Sequence, residues 1–262
     1  MKSLPHISQL LWILSKSQDL RDSVLFAGIA VLLAATCWWA FRQYMHSAPF
    51  VDPDIYPVRG IDVSAHNGFM NLDAAAASGI EFIFIKASEG EDFRDQNFRI
   101  NYAKASHAGM RIGAYHFFRF DREGIPQAKN FLEAVGGRPL DLGLAIDVEQ
   151  AGNPVDVDSV TISRRLIDMV EYLNLRGYRV TCYTNREGYF DYILPSVPGT
   201  TLWICSFSRI PFDGEWTFWQ YDHHGHVPGI PHDVDLNAFC GSRADWQRYL
   251  RGAPWPYDAS TQ

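Results

Sequence analysis

The chain has 262 residues, 47% of them apolar, a globular composition that excludes a disordered or fibrous protein. Its 30 acidic and 23 basic side chains give a formal net charge of −7. The first 50 residues hold four basic groups (Lys2, Lys16, Arg21, Arg42) and two acidic ones (Asp19, Asp22), so the remainder is at net −9. No basic stripe for a phosphate backbone exists, and nucleic acid is excluded as a partner.

Four cysteines (Cys37, Cys182, Cys205, Cys240) lack the spacing of a zinc site and do not indicate a disulfide framework, although one bridge is possible.

Ser23–Phe41 is nineteen residues without a charge, bounded by Arg21-Asp22 and Arg42. As a helix it spans roughly 28 Å, close to the hydrocarbon thickness of a bilayer. Trp38, Trp39 and Tyr44 gather at its downstream end, where amphipathic rings favour the headgroup level. Lys16 and Arg21 precede it and only Arg42 closely follows, which places the N-terminus in the cytoplasm and the bulk of the chain outside. The expectation is a cytoplasmic leader (1–22) and a single-pass signal anchor (23–41), with a cleaved signal peptide as the alternative. A linker with three prolines follows over 42–58, then a folded domain over 59–243 and a tail over 244–262.

From Arg59 onward short β runs alternate with helical stretches. Strands are expected at 60–64, 81–87, 111–118, 142–149, 179–183, 202–206, 217–221 and 234–239. Helices are expected at 72–78, 97–107, 127–135 and 158–175, several closed by glycine. Such alternation implies a parallel sheet covered by helices, and eight strands in this length suggest a closed barrel. The late strands are separated by short Pro- and Gly-rich segments, so the second half has less helical cover.

In a parallel barrel the C-terminal strand ends form the active-site face. Asp62, Asp147, Glu149 and Asp235 fall at such ends. Strand alternation puts Asp147 and Glu149 on one face, with Cα atoms about 6.5–7 Å apart, while Ile146 and Val148 point the other way. Two carboxylates so close raise each other's proton affinity, which suits glycoside hydrolysis by one protonated acid and one carboxylate.

Several blocks carry a further signal. Arg59-Gly60-Ile61-Asp62-Val63-Ser64-x-x-Asn67-Gly68 resembles the opening strand and turn of the family 25 glycoside hydrolases, the N,O-diacetylmuramidase type of lysozyme. Phe84–Gly90, Gly113–Phe117, Ala145–Glu149, Phe218–Tyr221 and Val234–Gly241 are similar to later blocks of that family, in the family's order. The resemblance implies a modified TIM-like α/β barrel, (β/α)5(β)3, and cleavage of the β-1,4 bond between N-acetylmuramic acid and N-acetylglucosamine in peptidoglycan. It implies Glu149 as general acid, Asp147 as the carboxylate beside it, and Asp62 and Asp235 as the acids completing the cluster. Whether Asp147 orients the substrate's N-acetyl group, attacks directly or activates water stays open. No cofactor is implied.

Tyr115, Phe117, Tyr183 and Trp219 fall at or near strand ends, where rings can line a sugar groove or simply pack the barrel. Lys86 ends an apolar strand and can neutralise part of the acidic cluster. His223, His224, His226 and His232 crowd one loop without the spacing of a helical metal site, so no metal is expected. Ser206 and Ser208 lack a G-x-S-x-G context, and no phosphate-binding glycine loop is present, which argues against serine chemistry and nucleotides. A non-catalytic glycan-binding barrel, a glycosidase of the same family acting on another glycan, and a membrane-tethered scaffold are the alternatives.

Overall fold

The computed structural model describes residues 6–46, 51–207, 211 and 216–252, with 6–21 and 43–46 as backbone only. Residues 47–50 of the expected linker, Ser208 and the tail beyond Gly252 lie outside the described residues. The chain divides into two units, Met1–Ser47 and Ala48–Gln262.

The first unit is one helix, α1 (His6–His46). Within it Asp22–Arg42 has a mean hydropathy of 2.1 and is long and apolar enough to cross a membrane by length and composition. The Thr36 hydroxyl donates back to the carbonyls of Leu32 and Leu33, both at 2.9 Å, so this polar group is satisfied inside the helix. The Arg42 guanidinium lies over the Trp38 ring.

The second unit is a closed barrel. Its strands are β1 (Arg59–Val63), β2 (Ile80–Glu89), β3 (Phe93–Arg94), β4 (Arg111–Phe117), β5 (Gly143–Asp147), β6 (Val180–Asn185), β7 (Thr201–Cys205), β8 (Phe218–Gly225) and β9 (Val234–Phe239). The order is β1-β9-β8-β7-β6-β5-β4-β2, with β1–β2 pairing to close eight strands and the two-residue β3 added antiparallel to β2. Helices α2 (Leu72–Ala77), α3 (Phe98–His107), α4 (Gly124–Val135) and α5 (Ser159–Asn174) cross over the outside, followed by short helical turns over 186–196 after β6. Side-chain caps start the helices where the sequence supplies them: Asn71 accepts from Ala74 N, and Asp158 from Thr161 N. Gly136, at φ +62°, ends α4 in the left-handed conformation.

One expectation needs correction. The sheet is not parallel throughout, because β9 pairs antiparallel with both β8 and β1. The connection from β8 to β9 is too short for a helical crossover and returns as a hairpin.

Alternation along β2 explains its unbroken apolar run. Ile83 and Ile85 pack under the helices, while Phe82 and Phe84 fill the barrel interior with Trp203, Phe218 and Phe239. Gly60 and Gly113, on the flanking strands, make room for those rings: a Cβ would lie 2.3 Å from Phe82 and 2.4 Å from Phe84. The helix Arg243–Leu250 packs Trp246 and Tyr249 on Phe218 and Phe239. The lower barrel is therefore an aromatic plug, and the interior carboxylates gather at the opposite mouth.

Where the helices thin out, other residues cover the sheet. Leu202, Ile204, Trp216 and Trp219 form an outer cluster with Val51 and Tyr56. Tyr56 lies 5.7 Å from the Trp219 ring, and Phe239 N donates to Val58 O. Residues 51–58, expected as linker from their prolines, thus carry contacts of the barrel.

Candidate active site

Inward positions on successive strands converge at the mouth formed by the C-terminal ends of the parallel barrel strands and the start of β9. Asp62 comes from β1, Lys86 from β2, Tyr115 and Phe117 from β4, Asp147 from β5, Tyr183 from β6, Gln220 from β8, and Asp235 and Asn237 from β9. Direct register places Asp147 beside Phe117 and Tyr183, Lys86 beside Tyr115, and Asp62 beside Asp235. Asp235 stands at the start of β9 rather than at a strand end, and the antiparallel course of β9 brings that start to the mouth.

Strand β5 ends at Asp147, two residues short of the expected boundary. Val148 N nonetheless donates to Tyr183 O at 2.8 Å, and the Val148 side chain stays buried in the outer core. Glu149 therefore remains on the mouth side. Its carbonyl accepts from Asn153 Nδ2, which also donates to Phe118 O, while Asn153 Oδ1 accepts from Phe120 N. One buried amide thus pins the segment carrying Glu149 to the loop after β4.

Asp62 is held by two converging chains. Tyr183 Oη donates to Gln220 Oε1 and Gln220 Nε2 to Asp62 Oδ2, each at 2.8 Å. Trp203 Nε1 donates to Asn237 Oδ1 at 2.7 Å and Asn237 Nδ2 to Asp62 Oδ2 at 2.8 Å. Asp147 is almost wholly buried, and its Oδ1 has no hydrogen-bond partner among the described residues.

Burial dominates the electrostatics. It pushes Asp62 up to about 6, against the two amide donors that favour its charged form. Asp235, with fewer such donors and with Asp62 and Asp222 nearby, is pushed up to about 8. Asp147 is raised well above the usual carboxylate range by burial and then by Glu149, with Lys86 opposing. Glu149 is raised by burial, again opposed by Lys86. Lys86 is the counter-charge of the cluster: its Nζ bonds Glu89 Oε2 at 2.9 Å and lies 5.2 Å from the Phe117 ring centre.

The structure brings together Asp62, Asp147, Glu149, Asp235, Lys86, Tyr115, Phe117 and Tyr183. It does not bring Trp219 to them. Alternation in β8 turns Phe218 and Gln220 inward, so Trp219 faces the outer aromatic cluster, fully buried, with Nε1 donating to Ser206 O. Gln220, Asn237 and Asn153 are the site residues that sequence reasoning missed. For Gln220 and Asn237 the signal was present: polar residues at inward positions of otherwise apolar strands. The histidines lie on the β8–β9 hairpin, where His224 Nδ1 bonds Asp233 Oδ2 at 2.8 Å. Among the described residues no cluster of three or more His, Cys, Asp or Glu is placed to hold a metal.

This constellation on a closed barrel is that of a carboxylate-dependent glycosidase. Residues 61–230 match the profile of glycosyl hydrolases family 25, and the chain belongs to that family. It is 33% identical to lysozyme M1 of Streptomyces globisporus over 211 residues, covering 73% of this chain and 70% of that protein. It is 32% identical over 185 residues to the autolytic lysozyme of Clostridium acetobutylicum, covering 70% of this chain but only 56% of that protein. The family 25 glycosyl hydrolase structure from Bacillus anthracis superposes with a TM-score of 0.69 at 32% identity, over 79% of this chain and 97% of its own.

Proposed function

We propose that the protein is a membrane-anchored muramidase that hydrolyses the β-1,4 bond between N-acetylmuramic acid and N-acetylglucosamine in peptidoglycan. The observation that carries this is the Asp147–Glu149 pair at the barrel mouth, both members raised by burial. Glu149, the more accessible of the two, is the general acid that protonates the leaving oxygen. Substrate in the groove would exclude more water and raise its proton affinity further, the direction proton donation needs.

Asp147 assists the second step. Its unpartnered buried Oδ1 suits a hydrogen bond to the substrate's N-acetyl group, which can then attack the anomeric carbon. Asp62, oriented by Gln220 and Asn237, stabilises positive charge developing at the sugar ring, and Asp235 across from it completes the cluster. Tyr115, Phe117 and Tyr183 line the groove, and Lys86 limits the charge of the cluster.

The fold is read as (β/α)5(β)3, supported by helical crossovers after five parallel strands and their absence after the later ones. Residues 23–41 are read as a single-pass anchor with the N-terminus in the cytoplasm and residues 59–243 as the catalytic domain outside it. The apolar stretch of α1 supports the anchor. The test is digestion of purified cell wall by the full-length protein in detergent, with mass spectrometry of the fragments. N-acetylmuramic acid at the new reducing ends is the expected result.

A further inference from the structure

His116 stands between Tyr115 and Phe117 on β4 and points the opposite way, into the layer between the sheet and α4, where its ring lies 5.3 Å from that of Phe131. It is fully buried, as are Ser88 on β2 and Gln127 on α4. The register of β2 against β4 shifts between Lys86 and Ser88, so Ser88 meets His116 instead of following Lys86 inward.

These three side chains form a hydrogen-bonded series with a fixed direction. Ser88 Oγ lies 2.8 Å from His116 Nδ1, and His116 Nε2 lies 3.2 Å from Gln127 Oε1. The main chain orients the Gln127 amide. Its Nε2 donates to Arg119 O at 3.0 Å and Arg122 O at 3.1 Å, and its Oε1 accepts from Arg119 N at 2.7 Å. Because Oε1 is an acceptor, the imidazole carries its proton on Nε2, and Nδ1 accepts from the Ser88 hydroxyl. Burial keeps the ring neutral by holding His116 down at about 3.

The loop after β4 is gripped from two sides. Gln127 holds the backbone N–H and carbonyl of Arg119, while Asn153 holds Phe118 O and Phe120 N. Asn153 Nδ2 also donates to Glu149 O at 2.9 Å, and Arg119 Nη1 donates to Gly152 O at 2.8 Å. Glu149 needs this support, because β5 ends two residues before it and Val148 N makes the last bond to β6.

We infer that Ser88, His116 and Gln127 are positioning residues for Glu149, acting through residues 118–120 and Asn153. The inference rests on the role proposed above for Glu149 as general acid, and it gives three buried groups that never meet the substrate a part in the reaction. A general acid must stand within hydrogen-bond reach of the leaving oxygen, and a misplacement of about 1 Å can cost about a hundredfold in rate.

The experiment measures kcat and KM of the full-length protein in detergent on purified cell-wall glycan. Wild type is compared with His116→Phe, His116→Gln and Ser88→Ala, and each substitution is repeated in a Glu149→Gln background. His116→Phe keeps a ring against Phe131 and removes the Nε2 donor. It is expected to lower kcat about ten- to a hundredfold at unchanged KM. His116→Gln, whose side-chain N–H can replace that donor, is expected to recover most of the loss. Ser88→Ala releases the tautomer and is expected to lower kcat by a smaller factor; it carries the test alone if His116→Phe fails to fold. In the Glu149→Gln background the same substitutions are expected to cost nothing further, since the proton they serve to place is gone. A purely structural role would cost the same factor in both backgrounds. That result, or unchanged kcat in folded single variants, overturns the inference and leaves the proposed function standing. A wild type that releases no fragments overturns both.

Discussion

Asp62 and Asp235 face one another in direct register across the antiparallel pair of β1 and β9. Burial raises both, yet Asp62, the deeper, settles at about 6 and Asp235 at about 8. The difference follows from the amide donors: Gln220 and Asn237 both spend an N–H on Asp62 Oδ2, and a donor stabilises the charged form. At neutral pH Asp62 is therefore the anion of the two and Asp235 the protonated partner.

This pair makes stability fall with rising pH. Raised folded-state values mean that the native protein keeps protons the unfolded chain has already lost, so that contribution disappears as pH rises through about 6 and then about 8. His116, buried and held at about 3, opposes this only below its unfolded value near 6.5. Thermal unfolding of the full-length protein in detergent should show Tm falling between pH 6.5 and 8.5, by about 2–4 °C for each kcal/mol lost. Asp235→Asn should flatten that slope. A Tm that rises over this interval would contradict the assignment.

The amides have a separate, kinetic consequence. Asn237→Ala or Gln220→Ala removes a donor to a charged group, worth about 1.5–3 kcal/mol, and so lifts Asp62 by roughly one to two pH units. The acid limb of the pH–activity profile should move upward by that amount. An unmoved limb in a folded variant would show that ionised Asp62 is not required.

Trp219 belongs to the cover of the sheet rather than to the sugar groove. Trp219→Ala should cost about 3–5 kcal/mol of stability through loss of packing on Tyr56, Trp216 and Tyr221. KM of the protein that remains folded should be unchanged. A stable variant with weakened glycan binding would place the indole in the groove after all.

The anchor is tested by fractionation. Full-length protein should sediment with membranes and resist salt and carbonate extraction. Recovery from cells of a mature N-terminus near residues 45–50 would replace the anchor with a signal peptide.

The barrel was legible because its two periodicities are clean: β-runs such as EFIFIKA alternate with glycine-terminated helices, and strand alternation alone paired Asp147 with Glu149. The sense of β9 was not legible, since an isolated Val234–Phe239 run reads the same in either direction and only the short return from β8 decides it. Trp219 misled for a related reason. Alternation put it opposite Gln220, but which face looked inward depended on Asp62 and Tyr183, far away in sequence, claiming Gln220. The role of residues 51–58 was hidden because prolines report an absence of helix and not an absence of packing. Asn153 carried no local signal at all; its work is a tertiary bridge from Glu149 to Phe118 and Phe120.

The most direct measurement is turnover of Glu149→Gln on purified cell-wall glycan, with folding checked by circular dichroism. Glutamine keeps the shape of the side chain and removes its transferable proton. The account predicts a fall of at least about a hundredfold with binding largely retained. Asp147→Asn should be severely impaired in the same assay, and Asp62→Asn and Asp235→Asn less so. A folded Glu149→Gln protein with near wild-type turnover would contradict the account.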